Sequence, residues 1–112
     1  MARFNYVELP VADIAAARSF YEAAFGWSLE RFGPTYAATV TGDTDIGLQA
    51  DPAEASRAPL PVIDVPDLEA AEAAVEAAGG RVVRPIFAFP GGRRFHFLDP
   101  SGNELAAVTA NP

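Results

Sequence analysis

Two stretches of the chain are near copies of each other. Residues 11–27 are VADIAAARSFYEAAFGW, and residues 65–81 are VPDLEAAEAAVEAAGGR. At a constant offset of 54 positions, Val11 meets Val65, Asp13 meets Asp67, Glu22 meets Glu76 and Gly26 meets Gly80. Each copy has the marks of a complete helix. Asp13 and Asp67 can cap the first turn by accepting from its unpaired N–H groups. Ile14, Ala17, Phe20, Tyr21 and Ala24 follow the first cap at helical spacing, and Leu68, Ala71, Val75 and Ala78 follow the second. Gly26 and the Gly79-Gly80 pair are the corresponding stops. A helix repeated with its own start and stop implies that its surroundings are repeated too.

The flanking segments agree. RFNYVEL alternates and is rich in strand formers, so residues 3–9 form a strand before the first helix. WSLERF, TYAATVT and DIGLQA follow it as three strands, separated by turns at Gly33-Pro34 and Gly42-Asp43. DPAEASRAP, residues 51–59, lacks periodicity and carries two prolines, which marks a linker. The order then restarts: LPVIDV, the second helix, RVVRPIFAF, RRFHFLD and ELAAVT. DPSGN is a tight turn before the last strand, with Gly102 or Asn103 free to take positive φ. The sequence therefore predicts an α+β fold of two βαβββ modules, 1–50 and 60–112. One helix covers only one face of a four-stranded sheet, so two such modules can share a cleft between their open faces.

Composition narrows the function. The net charge of −7 opposes a nucleic-acid partner, whose phosphates need a basic footprint. No apolar run is long enough to span a bilayer, and MARFNYVELP lacks the apolar core of a secretory signal, so the default expectation is a cytoplasmic protein. Without cysteine there is neither a disulfide nor a thiolate metal site. One histidine among scattered serines gives no Ser-His-Asp signal. FPGG is not a phosphate loop, because the Gly-x-x-x-x-Gly-Lys spacing is absent.

YVELPVADIAAARSFYEAAFGW and FHFLDPSGNELAAV resemble the opening and closing signatures of the vicinal oxygen chelate superfamily, which includes glyoxalase I, extradiol dioxygenases and bleomycin resistance proteins. The resemblance implies the paired βαβββ fold, and in chains of this size a homodimer. It also implies a divalent metal held by His, Gln or Glu from the first and last strands of each module. Carried over position by position, those ligands fall on Tyr6, Gly47, Leu60 and Ala106. Tyr, Gly, Leu and Ala cannot hold a zinc, nickel or iron ion between them. The expectation is a family member without the metal and without another cofactor.

Strand alternation then selects what lines the open faces. If Tyr6 faces the cleft, so do Phe4 and Glu8. Asp45, Gly47 and Gln49 share a face, and Gly47 leaves room where a ligand side chain would stand. On RRFHFLD, Phe95 and Phe97 fit beneath the second helix, leaving Arg94, His96 and Leu98 for the cleft. The candidate ligand contacts are Tyr6, Glu8, Gly47, Gln49, Arg94, His96 and Ala106, with His96 and Glu8 as candidate acid–base groups. Each has a plain alternative: His96 as a hydrogen-bonded structural residue, Glu8 at a solvated mouth, Tyr6 as packing. Trp27 and Tyr36 suit core or dimer contacts as well as pocket walls. GGRR at 91–94 is either a mobile loop that clamps an anion or a hairpin with solvated charges. Three functional classes remain: a protein that binds a small, partly apolar molecule without a metal, a metal-independent lyase or isomerase using His96, Glu8 or Tyr6, and a metal-dependent lyase or dioxygenase.

Overall fold

The computed structural model describes residues 2–111. The order along the chain is β1 (Arg3–Pro10), α1 (Ile14–Phe25), β2 (Glu30–Arg31), β3 (Tyr36–Ala38), β4 (Asp45–Gln49), then β5 (Leu60–Asp64), α2 (Leu68–Ala77), β6 (Arg81–Phe89), β7 (Gly92–Leu98) and β8 (Glu104–Ala110). It is strand, helix and three strands, twice. The fold is α+β with mixed pairing.

The strand pairing is repeated as well. β1 runs parallel to β4, with Glu8 opposite Gly47, and β4, β3 and β2 continue antiparallel. β5 runs parallel to β8, with Val62 opposite Ala106, and β8, β7 and β6 continue antiparallel. Val62 lies 54 positions after Glu8, so Gly47 and Ala106 hold equivalent places in their ladders. The chain divides into two compact units, Met1–Asn5 with Pro61–Pro112, and Tyr6–Leu60.

Both helices start at the repeated aspartate, but they stop differently: α2 is capped by Ala78 at φ −88°, one residue before the Gly79-Gly80 pair, with Gly79 at φ 100°. Asp13 Oδ1 accepts from the Ala16 N–H and Asp67 Oδ1 from the Ala70 N–H, each at 3.0 Å. Gly26 ends α1 at φ 70°, a left-handed conformation that a β-carbon disfavours. In the Tyr6–Leu60 unit, Ile14, Ala17 and Tyr21 of α1 pack on Leu9, Leu29, Ala37, Ile46 and Leu48. In the other unit, Leu68, Ala71 and Val75 of α2 pack on Ile63, Phe95, Phe97 and Ala107. Phe95 and Phe97 thus lie beneath α2, and the alternation turns His96 and Arg94 to the opposite face.

Two strands are shorter than the sequence pattern predicts. WSLERF contributes only Glu30 and Arg31 to the ladder. The backbone N–H of Leu29 is taken by the Glu22 carboxylate at 3.1 Å and by no sheet partner. TYAATVT stops at Ala38: the Thr39 N–H still reaches the Ile46 carbonyl, but the Ile46 N–H is taken by the Thr39 hydroxyl and the Thr41 N–H by the Asp45 carboxylate. The GGRR segment is a tight β6–β7 hairpin, with Phe89 opposite Gly92 and only Pro90 and Gly91 between them. Arg93 belongs to β7 and grips Glu69 of α2 through two contacts of 2.6 and 3.2 Å. No helix among the described residues is long and apolar enough to cross a membrane.

Candidate functional site

In the Tyr6–Leu60 unit, one sheet face gathers Tyr6 and Glu8 of β1, Asp45, Gly47 and Gln49 of β4, and Tyr36 and Ala38 of β3. Tyr6 and Tyr36 share a hydrogen bond between their hydroxyls at 2.5 Å. A β-carbon on Gly47 would strike both phenol oxygens. The space expected to be open above Gly47 is therefore filled by a tyrosine pair. Tyr36 was one of two sequence candidates with no assigned role, and only the pairing of β3 with β4 reveals it as the partner of Tyr6. Glu8 is 2% exposed.

Two polar residues of this face hold the backbone. Asp45 accepts from the Thr39 and Thr41 hydroxyls at 2.7 and 2.9 Å, and from the Thr41 and Gly42 N–H groups at 2.9 and 3.1 Å. Burial pushes its carboxyl up, but these four bonds together hold it below the usual carboxylate range. Gln49 accepts from the Asp51 N–H at 3.0 Å, where the chain leaves β4. Trp27 lines a separate hollow of about 230 Å³ with Ser28, Glu30, Thr39, Val40 and Thr41, which includes none of the predicted ligand contacts.

In the other unit, His96 stands opposite Ala106 on β8 and opposite Arg84 on β6. It is 4% exposed. Its Nδ1 lies 2.8 Å from Glu104 Oε2. Its Nε2 is buried and has no hydrogen-bond partner. Since a carboxylate only accepts, Nδ1 carries the proton in the neutral ring and Nε2 presents a lone pair. Burial pushes the His96 pKa down. Glu104 opposes this, while the nearby charges of Arg94 and Arg84 add to it. The imidazole is held below its ordinary value of 6.5 and is neutral at pH 7.

Three further side chains complete this face. The Phe87 ring lies 5.9 Å from the His96 ring, centroid to centroid. The guanidinium carbon of Arg84 stands 3.7 Å over the Phe87 ring, and that of Arg94 5.3 Å from it. Arg94 was predicted for this face, whereas Arg84, Phe87 and Glu104 were not. The DPSGN turn carries the signal for Glu104. Asp99 accepts from the N–H groups of Ser101 and Asn103, each at 2.9 Å, and Gly102 takes φ 88°. That turn sets Leu98 against Glu104 and His96 against Ala106, so Glu104 lies diagonal to His96 on one face.

The residues at the expected metal positions do not fit a metal ion. The Tyr6 phenol is bonded to Tyr36, Gly47 has no donor, and Leu60 and Ala106 are buried hydrocarbon. Among the described residues, no three His, Cys, Asp or Glu side chains gather to hold one.

Comparison with known proteins agrees with the fold. The Glyoxalase/Bleomycin resistance protein/Dioxygenase superfamily profile matches residues 3–107, and the chain belongs to that superfamily. Among curated proteins it is similar to "Putative glyoxylase CFP32" of Mycobacterium bovis and of Mycobacterium tuberculosis, 30% identical over 118 residues that cover 96% of this chain. The match takes in 45% of those relatives' length, so the chain spans a little under half of them. Among solved structures, methylmalonyl-CoA epimerase from Mycobacterium tuberculosis superposes with a TM-score of 0.76 at 19% identity, over 97% of this chain and 88% of that one. A glyoxalase/bleomycin resistance protein/dioxygenase superfamily member from Vibrio splendidus 12B01 gives 0.74 at 18% identity, over 97% and 99%. At these identities the solved structures speak for the fold alone.

Proposed function

We propose that the protein binds a small, partly apolar molecule, without a metal ion, on the sheet face that carries His96. One observation carries the reading: a buried imidazole whose Nδ1 is held by Glu104 while its Nε2 has no partner. A buried acceptor left unmade costs about 1–3 kcal/mol, which a bound molecule with a donor recovers. The Phe87 ring adds an apolar wall. The test is a thermal-shift screen of small acids, aldehydes and aromatic compounds, followed by calorimetry on the wild type and His96→Ala. The expected result is a hit whose affinity falls by more than about 1 kcal/mol in the variant, the scale of one buried hydrogen bond. Unchanged affinity together with lost stability would make His96 structural.

The same geometry favours a second reading, a metal-independent lyase or isomerase. A neutral imidazole oriented by a carboxylate, with its other nitrogen bare, suits a general base. The name of the curated relatives, "Putative glyoxylase CFP32", supports an enzymatic role. Deuterium exchange into a bound ligand, abolished by His96→Gln, would select this reading over binding alone. A homodimer is part of the proposal, and light scattering that reports only monomer at micromolar concentration would count against it.

A further inference from the structure

The internal repeat acts as a control on what the fold itself requires. Phe20, Phe25 and Trp27 are exposed, by 60%, 60% and 40%. At the offset of 54 positions their counterparts are Ala74, Gly79 and Arg81. α2 packs on its sheet through Leu68, Ala71 and Val75 and brings no aromatic ring, so the fold does not demand these three of α1. They nevertheless form one cluster. The Trp27 ring stacks with Tyr21 at 5.7 Å and with Phe25 at 5.2 Å, and Phe20 meets Tyr21 edge-on at 5.0 Å between centroids. Single exposed rings are ordinary, but a contiguous cluster of them marks a contact surface.

Trp27 is also a wall of the hollow of about 230 Å³ that it forms with Ser28, Glu30, Thr39, Val40 and Thr41. Strand register makes this space: Glu30 stands opposite Ala38, and beyond Ala38 the chain leaves the ladder. Sites for drug-sized ligands run to about 300–1,000 Å³, so a ligand here is smaller. The lining selects its charge. None of the six residues is basic, and Glu30 is acidic. The Thr39 hydroxyl donates to Asp45 at 2.7 Å and accepts from the Ile46 N–H at 3.1 Å. The Thr41 hydroxyl donates to Asp45 at 2.9 Å and accepts from the Asp43 N–H at 3.2 Å. Neither has a proton left to give an anion. Among the described residues, no side chain is bonded to the Glu30 carboxylate.

We infer that this hollow binds a small organic cation, an alkylated ammonium, with its alkyl groups against the Trp27 indole and its charge toward Glu30. An indole attracts such a cation through its ring electrons, and tryptophan does so best among the aromatic side chains. The stacks with Tyr21 and Phe25 hold the ring in place, which lowers the cost of ordering it on binding. An exposed carboxylate alone would hold a cation weakly. Ring and carboxylate together discriminate for charge and for alkyl bulk at once. The net charge of −7 favours the approach of a cation. Every residue of this hollow belongs to the Tyr6–Leu60 unit, whereas His96 belongs to the other, so the inference stands or falls apart from the proposed function.

Trp27 is the only tryptophan in the chain, so its fluorescence reports on this hollow without interference. The probes are choline and its uncharged carbon analogue 3,3-dimethylbutan-1-ol, which keeps the shape and removes the charge. The expected result is a saturable change in emission with choline, at an affinity at least about fivefold tighter than for the alcohol, the scale of a partly exposed cation–π contact. Glu30→Gln should weaken choline at least about threefold, whereas Glu76→Gln, which removes the same charge from α2, should change it less. The backbone amide resonances of Thr39 and Thr41 follow binding when the tryptophan is removed, and Trp27→Leu should abolish their response to choline. If the alcohol binds as tightly as choline, the cation class is wrong. If Glu76→Gln weakens binding as much as Glu30→Gln, the attraction belongs to the chain as a whole and the site falls. If neither the emission nor the amides of the wild type move at high millimolar choline, the hollow binds no such ligand.

Discussion

Gly47 has no side chain, and the space a β-carbon would need is taken by the hydroxyls of Tyr6 and Tyr36. Gly47→Ala should therefore destabilise by roughly 1–3 kcal/mol, as overpacking does, measured by urea unfolding. Removing both hydroxyls through Tyr6→Phe and Tyr36→Phe should recover part of that loss, since residues in contact couple. An alanine tolerated at no cost in the wild-type background would contradict the filled space. His96 leads to a prediction in pH. Its folded pKa lies below 6.5, so the unfolded chain binds the proton first as pH falls. Its contribution is complete above about pH 6.5 and declines as pH drops toward the depressed folded value. The carboxyls of Asp45, Asp99 and Glu69 are also depressed, but from ordinary values of 3.8, 3.8 and 4.5, so they act at lower pH. Unfolding midpoints at about pH 5 and about pH 7 should differ in the wild type and converge in His96→Asn. At this scale the sequence revealed directions better than partners. Alternation with Phe95 and Phe97 turned His96 to the face away from α2. Glu104, Tyr36 and Arg84 stayed hidden, because each depends on a register between strands that one-dimensional periodicity does not contain.

The helices were the most legible elements, since a cap, a periodic face and a glycine stop are all local. Asp13→Ala and Asp67→Ala should each cost about 1 kcal/mol, because each strands the N–H that its carboxylate accepts. The two changes lie in different units and should add in a double variant followed by chemical denaturation. A double variant no less stable than either single would overturn the independence of the two caps. The strands were less legible at their ends. β2 and β3 lose residues to side-chain bonds, the Glu22 carboxylate taking the Leu29 N–H, the Thr39 hydroxyl the Ile46 N–H and the Asp45 carboxylate the Thr41 N–H. Hydrophobic alternation cannot foresee such competition for backbone groups. β6 carries Pro85, which lacks the N–H a central ladder would demand. The chain places it in a strand with a single partner, β7, within the irregular stretch between Arg84 and Phe87. That stretch shapes the His96 face, so Pro85 sits where the candidate site is built.

At the scale of the whole molecule, the repeat of Val11–Gly26 in Val65–Gly80 foretold the repeated element order, and the equivalence of Gly47 with Ala106 follows from it. Function does not follow from duplication in the same way. The repeat preserves helix signals and ladder geometry, which packing requires of any member of this fold. The positions where the resemblance places the family's metal ligands are under no such requirement, and here they are Tyr6, Gly47, Leu60 and Ala106. The consequence can be measured on the intact protein. A metal bound by the folded state alone and present at 100 times its dissociation constant would stabilise by about 2.7 kcal/mol. For a chain of this size that is a rise on the order of 10 °C in Tm. Adding nickel, zinc, iron(II) or manganese to chelator-treated protein should give no such rise, and elemental analysis before chelation should find far less than one equivalent of each. A saturable rise with one of them would restore the metal-dependent lyase or dioxygenase class. It would also require ligands other than these four, because a phenol already bonded to Tyr36 and three positions without a donor atom supply too few.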